Sequence, residues 1–252
     1  MPSFGIVAEG ITDQIVIKHI IAGYFGDQGE KPSVVSVQPP PSDTSRKDRP
    51  EPGGWGLVLE FLASGEHRQA LQLNDYLVLH IDTDVSEQTG FAVPHREAGR
   101  ELSVAELAER IRKKLEGLIG PEFCAEHGHR LIFAVAVHSV ECWLLPLIYQ
   151  DSHAGKITGC LNAANEARKR ANKTPLSKPG PKGKGDSKDP RSYQDASRGY
   201  TKRKQLMALH DQNPSLALFV RQLARTVPGP APDASAPPAD EAPAADSTSP
   251  AK

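Results

Sequence analysis

The chain has 252 residues, of which 38% are hydrophobic, and a formal net charge of −1. This length suits one sizeable domain with an extension. The longest apolar run, residues 131–149, is interrupted by His138, Glu141 and Pro146, which excludes a membrane span. Because the N-terminus lacks the pattern of a signal peptide, we expect a cytoplasmic protein that does not contact a membrane.

Charge is distributed unevenly along the chain. Residues 1–167 hold 23 acidic and 14 basic side chains, whereas residues 168–204 hold 13 basic and three acidic ones. We refer to residues 168–204 as the basic strap. An acidic body joined to a strongly basic segment favours a polyanionic partner.

The sequence contains three cysteines, Cys124, Cys142 and Cys160. Their number is odd, and their spacing is not that of a zinc site. The cysteines therefore predict a reducing compartment and no disulfide framework.

The first part of the chain predicts strands that alternate with helices. Residues 4–8 are typical of a buried strand, and Glu9 follows at its end. Thr12 is a good N-cap for the next helix, and Asp13 in the first turn suits the helix dipole. The following strand, proline-rich loop and helix are predicted at residues 33–37, 39–54 and 55–62.

The apolar run at residues 77–81 predicts a central strand after a polar connection. It ends at Asp82 and Asp84, and side chains at positions i and i+2 of an extended backbone point to the same side. These two carboxylates should therefore converge. The next segment, residues 85–99, predicts a long irregular loop.

The rest of the chain predicts one more helix and strand, followed by a helical extension. Ser103 and Glu106 match a capping box for a helix that Gly120 ends. Residues 130–137 predict a buried strand, and Glu141 follows it at the start of a short helix. The helices of the extension are predicted at residues 162–171, 202–210 and 215–224.

This alternation predicts an α/β fold with a doubly wound, mostly parallel, Rossmann-like sheet and a C-terminal helical extension. We expect the α/β domain at residues 1–152 and the basic helical extension at residues 153–226. Residues 227–252 predict a disordered Pro/Ala-rich tail, because they lack large apolar side chains.

Four acids follow predicted strands, namely Glu9, Asp82, Asp84 and Glu141. Because the carboxyl ends of parallel strands lie on one edge of a sheet, these acids should meet there. Crowded carboxylates repel each other unless a cation lies between them, and hard divalent ions prefer oxygen ligands. The pattern predicts a Mg²⁺ or Mn²⁺ site. Each acid also has a local alternative, as a turn residue, a cap or a favourable charge at a helix N-terminus.

The residues around these acids resemble the TOPRIM fold of topoisomerases, primases and OLD-type nucleases. The resemblance lies in the segments from Ala8 to Asp13 and from Ile81 to Asp84. The segments 53–55 and 139–146 are similar to those of small bacterial OLD-like TOPRIM proteins of unassigned function. The resemblance covers about residues 3–150.

The resemblance implies a magnesium-dependent reaction at phosphodiesters, with Glu9, Asp82 and Asp84 as catalytic residues and metal ligands and Glu141 as a further ligand. Two metal ions about 4 Å apart would activate water and stabilise the leaving oxygen. No residue matches the tyrosine nucleophile of a topoisomerase, so we expect a nuclease that hydrolyses DNA or RNA, with bacterial defence as one setting. The alternatives are a non-catalytic or partner-activated subunit of an ATPase-containing complex, and an enzyme that acts on mononucleotides.

The basic strap is expected to bind nucleic-acid phosphates through Lys178, Lys182, Lys184, Lys202 and Arg203. A solvated flexible loop is the alternative interpretation. Tyr193 and Tyr200 would either stack on bases or pack within the extension. Lys156 and Lys202 are candidates for a catalytic lysine. We expect His80 to be a core residue of the central strand and His138 to lie beside the site.

Overall fold

Four parallel strands form the central sheet in the part of the chain that the structure describes. The structure is a computed structural model that describes residues 1–26, 31–40, 54–180 and 187–227. Its first six strands are β1 (Ser3–Val7), β2 (Ser33–Gln38), β3 (Tyr76–Asp82), β4 (Arg96–Glu97), β5 (Arg100–Glu101) and β6 (Leu131–Ala136). The sheet has the order β2-β1-β3-β6, and every neighbouring pair is parallel. The predicted α/β class with a parallel sheet is confirmed.

Helices cover both faces of this sheet. The helices of the body are α1 (Ile11–Phe25), α2 (Trp55–Ala63), α3 (Glu66–Gln72), α4 (Val104–Ile119) and α5 (Pro121–His127). Successive strand residues face opposite helical layers: Val78 packs in one apolar cluster with Ile17 of α1, and Leu79 packs in the other with Ile111 of α4. Burial on both faces explains why the inner strand β3 is mostly apolar and β6 is entirely so, whereas the edge strand β2 contains Ser33, Ser36 and Gln38.

The C-terminal part of the described chain consists of short elements. They are α6 (Cys160–Arg170), β7 (Ser177–Lys178), β8 (Ser187–Lys188), α7 (Pro190–Ser197), α8 (Arg203–Leu209) and α9 (Pro214–Thr226). β7 and β8 pair as a small antiparallel hairpin. Short 3-10 turns lie at Gly128–Arg130, Val140–Leu147, Ser152–Gly155, Arg198–Thr201 and His210–Gln212.

Trp143 joins the sheet to these C-terminal helices. It lies in the 3-10 segment after β6 and is fully buried. Its indole N–H donates to the Ser215 hydroxyl at 2.8 Å, and its ring stacks on Phe219 of α9 with the centroids 5.4 Å apart. The Tyr200 hydroxyl donates to the Trp143 carbonyl. Residues on both sides of the predicted domain boundary at position 152 therefore pack together in a single apolar cluster.

Several elements differ from the sequence-based predictions. A helix, α3, lies in the predicted polar connection, and β4 lies within residues 85–99, which were predicted to be irregular, with its partner β5 directly after them. Gly120 ends α4 with a φ of +98°, as expected, but Pro121 then starts α5 at the next residue. Proline suits the first helical position because its missing N–H would have no partner there. The same arrangement starts α7, where Asp189 caps the helix and Pro190 is its first residue.

The structure contradicts the prediction that the chain has no disulfide framework. Cys142 and Cys160 form a disulfide with their Cα atoms 4.9 Å apart, whereas Cys124 is free. Cys142 follows β6 and Cys160 begins α6, so their proximity depends on how these two segments pack. Sequence spacing carries no information about such a contact.

We expect the double variant Cys142→Ala/Cys160→Ala to lose about 3 kcal/mol of unfolding free energy, because the disulfide closes a loop of moderate length. Urea denaturation without reductant measures this loss, and Cys124→Ala is the matched control with an expected change below about 1 kcal/mol. Alkylation of the denatured, unreduced protein followed by mass spectrometry should label one thiol per chain. Labelling of all three thiols would contradict the pairing.

Three predictions concern residues outside the described ranges. They are the part of the predicted disordered tail that follows Val227, most of the proline-rich loop, and the phosphate contacts of Lys182 and Lys184. Val227 itself, which the prediction assigned to the tail, is buried and caps the end of α9. Among the described helices, none has the length and apolar character needed to cross a bilayer.

Candidate functional site

Acidic side chains meet at the carboxyl ends of β1, β3 and β6. Glu9 follows β1, and one of its oxygens, Oε1, accepts the backbone N–H of Asp82, the last residue of β3, at 2.6 Å. Asp82 Oδ1 in turn accepts the backbone N–H of Val140, which begins the segment after β6, at 2.9 Å. Glu141 is the next residue. The structure therefore brings together the carboxylates that the sequence places after separate strands.

Asp13 is a fifth acid at this edge. It lies in the first turn of α1, is 3% exposed, and accepts the Gly10 backbone N–H at 2.8 Å. This bond positions the carboxylate beside the strand ends, because Gly10 directly follows Glu9. Asp13 lies in the first turn of α1, as predicted, but the prediction of Thr12 as the N-cap is wrong, because the helix already begins at Ile11 with Gly10 at the N-cap position. The sequence contains no signal that α1 begins at the site.

The loop after β3 is tied to the turn after β6 through His138. The backbone N–H groups of Thr83 and Asp84 both donate to the His138 carbonyl at 3.0 Å, and the His138 N–H donates to the Thr83 hydroxyl at 2.8 Å. His138 has a φ of +62°, in the left-handed region that few non-glycine residues adopt. These bonds hold the exposed Asp84 at the mouth of the site. The structure thus places His138 beside the acids, as expected.

Burial and the neighbouring negative charges raise the pKa values of four of these acids. Burial, followed by the charge of Asp13, raises the pKa of Glu9 to about 8, and burial raises the pKa of Asp13 to about 6. The pKa of Asp82 lies well above its ordinary range because of its burial and the neighbouring charge of Glu9. Partial burial and Glu141 also raise the pKa of Asp84. The site therefore holds protons near neutral pH, as expected where negative charge exceeds the available positive charge.

Lys188 provides positive charge within the site. Its ammonium Nζ lies 2.7 Å from Glu141 Oε1, and the Tyr193 hydroxyl donates to the same oxygen. Burial alone would raise the pKa of Glu141, but Lys188 and these hydrogen bonds lower it below its usual value. Burial would lower the pKa of Lys188, but Glu141, Asp13 and Asp82 raise it. Glu141 and Lys188 are therefore an ionised pair.

Lys188 is the lysine that sequence reasoning missed. The predicted candidates were Lys156 and Lys202, whereas Lys188 reaches the acids from β8 in the basic strap. A lysine in a basic, glycine-rich stretch has no local feature that separates it from its neighbours. Only the packing of the strap on the body identifies it.

His80 lies next to the acids inside β3. It is fully buried, which confirms the predicted core position, and within the described residues neither ring nitrogen has a hydrogen-bond partner. Its Nε2 atom is 3.5 Å from Asp82 Oδ1, beyond a good hydrogen bond. Burial, and then the charge of Lys188, lower the pKa of His80 to about 3, so the ring is neutral. A buried polar ring without a partner beside a carboxylate is the kind of group that a bound ligand or water satisfies.

The predicted nucleic-acid-binding cations lie at two ends of α1. Lys178 is exposed and pairs with Ser187 in the β7–β8 hairpin, so it lies close to Lys188. Arg203 instead donates to the Tyr24 carbonyl near the C-terminus of α1, about 20 Å along the helix from the acids. Lys202 is exposed beside Arg203.

The two tyrosines of the strap are fully buried, which rules out base stacking by these side chains in this structure. Tyr193 donates to Glu141, and Tyr200 donates to the Trp143 carbonyl. Their packing within the extension was the alternative interpretation, and the structure agrees with it.

The donor atoms at this edge suit a hard divalent cation. Glu9, Asp82 and Asp84 offer carboxylate oxygens, which Mg²⁺ and Mn²⁺ prefer. Across the described ranges, no three His, Cys, Asp or Glu side chains form a preformed metal site. Binding would therefore require side-chain adjustment, together with release of the protons that the raised pKa values of Glu9 and Asp82 retain.

Comparisons with protein-family models, with curated proteins and with solved structures found no match to this chain. Its function is therefore inferred from the geometry and charge of the site itself.

Proposed function

We propose that the chain is a metal-dependent nuclease of the TOPRIM type, which hydrolyses phosphodiester bonds in DNA or RNA. The observation that carries the proposal is the meeting of Glu9, Asp82 and Asp84 at the ends of adjacent parallel strands, with pKa values raised by burial and by the neighbouring negative charges. Enzymes with open α/β sheets place their sites at this edge. A divalent cation would relieve the crowding and bind phosphate at the same time.

Each side chain has a distinct role in this proposal. Asp82, Asp84 and Glu9 hold the ion, which would supply an activated water and positive charge at the phosphoryl oxygen. Before the ion binds, Glu9 holds a proton near neutral pH, since its pKa is about 8. Glu141 orients the Lys188 ammonium, whose side chain is 36% exposed and accessible to a phosphate oxygen.

The basic strap supports a polymeric substrate. Lys178 is exposed in the β7–β8 hairpin that also carries Lys188, and the strap carries ten more positive than negative side chains. Phosphate contacts from such a segment would make binding weaken steeply with salt. A mononucleotide would have no use for this extended charge.

The proposal is tested by incubating the protein with plasmid, single-stranded DNA and RNA in Mg²⁺ or Mn²⁺. We expect cleavage of at least one polymer, and a loss of about 100-fold or more in rate for Asp84→Asn. The matched control is Glu87→Gln, an exposed acid of the same loop, whose rate should stay within a few-fold. Absence of cleavage, or equal rates for both variants, would contradict the proposal. Cleavage that requires an added ATPase partner would instead indicate a partner-activated subunit.

A further inference from the structure

We infer that Lys188 takes the place of a second metal ion, so that each chain binds one divalent cation. This inference rests on the proposed function, and it concerns the cation content of that same site. The family resemblance implies two ions, whereas the contacts of the acids leave ligands for one. The ammonium of Lys188 would then contact a phosphate oxygen where a two-metal enzyme has its second ion.

Two of the five acids are already committed to partners within the protein. Glu141 is 1% exposed, its Oε1 atom is bound by both Lys188 and Tyr193, and the Ser139 side chain also hydrogen-bonds to this carboxylate. Asp13 accepts the Gly10 backbone N–H on Oδ2 and the Thr12 hydroxyl on Oδ1. Neither residue can ligate an ion without giving up contacts that hold the site together.

The three remaining acids suit a single ion. Glu9 and Asp82 each use Oε1 or Oδ1 for a backbone N–H, and each has a second oxygen. Asp84 is exposed at the mouth of the site. Mg²⁺ is typically bound by a few carboxylates together with waters and substrate phosphates, so these three are enough for one ion.

Lys188 acts on the whole cluster, beyond its direct partner. Its ammonium lies 2.7 Å from Glu141 Oε1, and Val140, the residue before Glu141, donates its backbone N–H to Asp82 Oδ1 at 2.9 Å. A second divalent cation would have to approach this ammonium, and like charges at short range repel strongly where water is scarce. The ammonium and a second ion therefore compete for the same negative charge.

His80 provides an independent indication that the cluster receives a ligand. Its ring is fully buried and lies beside Asp82, and the described residues offer its nitrogens no hydrogen-bond partner. Binding of one hydrated ion at Asp82 would bring water within reach of this ring.

The experiment is a titration of the metal-free protein with Mn²⁺. Calorimetry measures the heat of binding, electron paramagnetic resonance measures the free Mn²⁺, and both give the number of ions bound per chain. We expect one ion per chain in the natural protein and in Lys178→Met, the matched control from the same hairpin. Lys188→Met should bind two ions per chain, because the competing charge is gone, and Lys188→Arg should again bind one. Circular dichroism and thermal unfolding check that each variant is folded.

Two ions in the natural protein would overturn the inference and leave the nuclease proposal standing. One ion in a folded Lys188→Met variant would also overturn it, since the ammonium would then not be what excludes a second ion. No binding in the natural protein would remove the metal site itself, and the proposed function with it. If Lys188→Met does not fold, the stoichiometry of the natural protein still decides between one ion and two.

Discussion

Glu9→Gln is expected to stabilise the metal-free protein at alkaline pH and to abolish its metal binding. Burial and the charge of Asp13 raise the pKa of Glu9 from 4.5 to about 8, so the folded protein retains a proton that the unfolded chain releases. The contribution of this group to stability is therefore complete below pH 4.5 and is lost as the pH rises through about 8. Glutamine resembles the protonated acid, and its carbonyl can still accept the Asp82 N–H.

The measurement is urea unfolding with a chelator present, at pH 5 and at pH 8.5. Glu9→Gln should raise the unfolding free energy by roughly 2–4 kcal/mol at pH 8.5 and by about 1 kcal/mol or less at pH 5. Glu60→Gln, which replaces an exposed acid of α2, should change it little at either pH. Equal effects of the two variants at pH 8.5 would show that the acids at the sheet edge are not crowded.

Addition of Mn²⁺ should make the natural protein more stable than Glu9→Gln, which reverses the order expected without metal. A ligand that binds only the folded state raises the unfolding free energy by an amount that grows with the logarithm of its affinity. The natural protein should therefore gain stability with Mn²⁺, and Glu9→Gln should gain much less. A residue that lowers the unfolding free energy in the absence of metal, but is required for metal binding, is typical of a functional site.

Gly23→Ala should have the largest effect on folding among single alanine substitutions of glycine in the described helices. Gly23 lies two residues before the last residue of α1, and a Cβ atom there would overlap the backbone carbonyl oxygen of Tyr200 and lie 3.0 Å from its carbon. Because backbone cannot rotate away as a side chain does, α1 and the turn at Arg198–Thr201 must separate. We expect a loss of about 3 kcal/mol or more, which corresponds to a decrease of about 6–12 °C in melting temperature.

Gly117→Ala is the matched control for this substitution. Gly117 occupies the same position relative to the end of α4, and a Cβ atom there would have no neighbour within 4 Å. Alanine should stabilise the protein by about 0.5–1 kcal/mol at that position, because glycine is the poorer helix former. If Gly23→Ala were also stabilising, the turn that carries Tyr200 would not lie against α1. The packing that brings Tyr193 and Lys188 to the acids would then be in doubt.

Local chemistry explains which parts of this protein were predictable. The capping box is present as expected: Ser103 accepts the Glu106 N–H at 3.3 Å, and Glu106 accepts the Ser103 N–H at 2.8 Å. Both partners lie within one helical turn, so the sequence contains the whole interaction. The central strand ends at Asp82 for the same kind of reason, because an apolar run stops at a carboxylate.

Contacts between distant segments were not predictable. The disulfide between Cys142 and Cys160 and the ion pair between Glu141 and Lys188 each join parts of the chain with no shared local pattern. Asp13 is an intermediate case, since its bond to Gly10 is local but its place beside Asp82 depends on how α1 leaves the sheet.

The amino-acid sequence alone determined the succession of strands and helices and the acids that follow the strands, because periodicity and capping act over a few residues. It thereby indicated that negative charge would gather at one edge of a parallel sheet. Only the tertiary structure decided which positive group meets that charge. Packing around Trp143 and Tyr193 carries a lysine from the basic strap to Glu141, and this contact depends on how the apolar side chains of remote segments fit together.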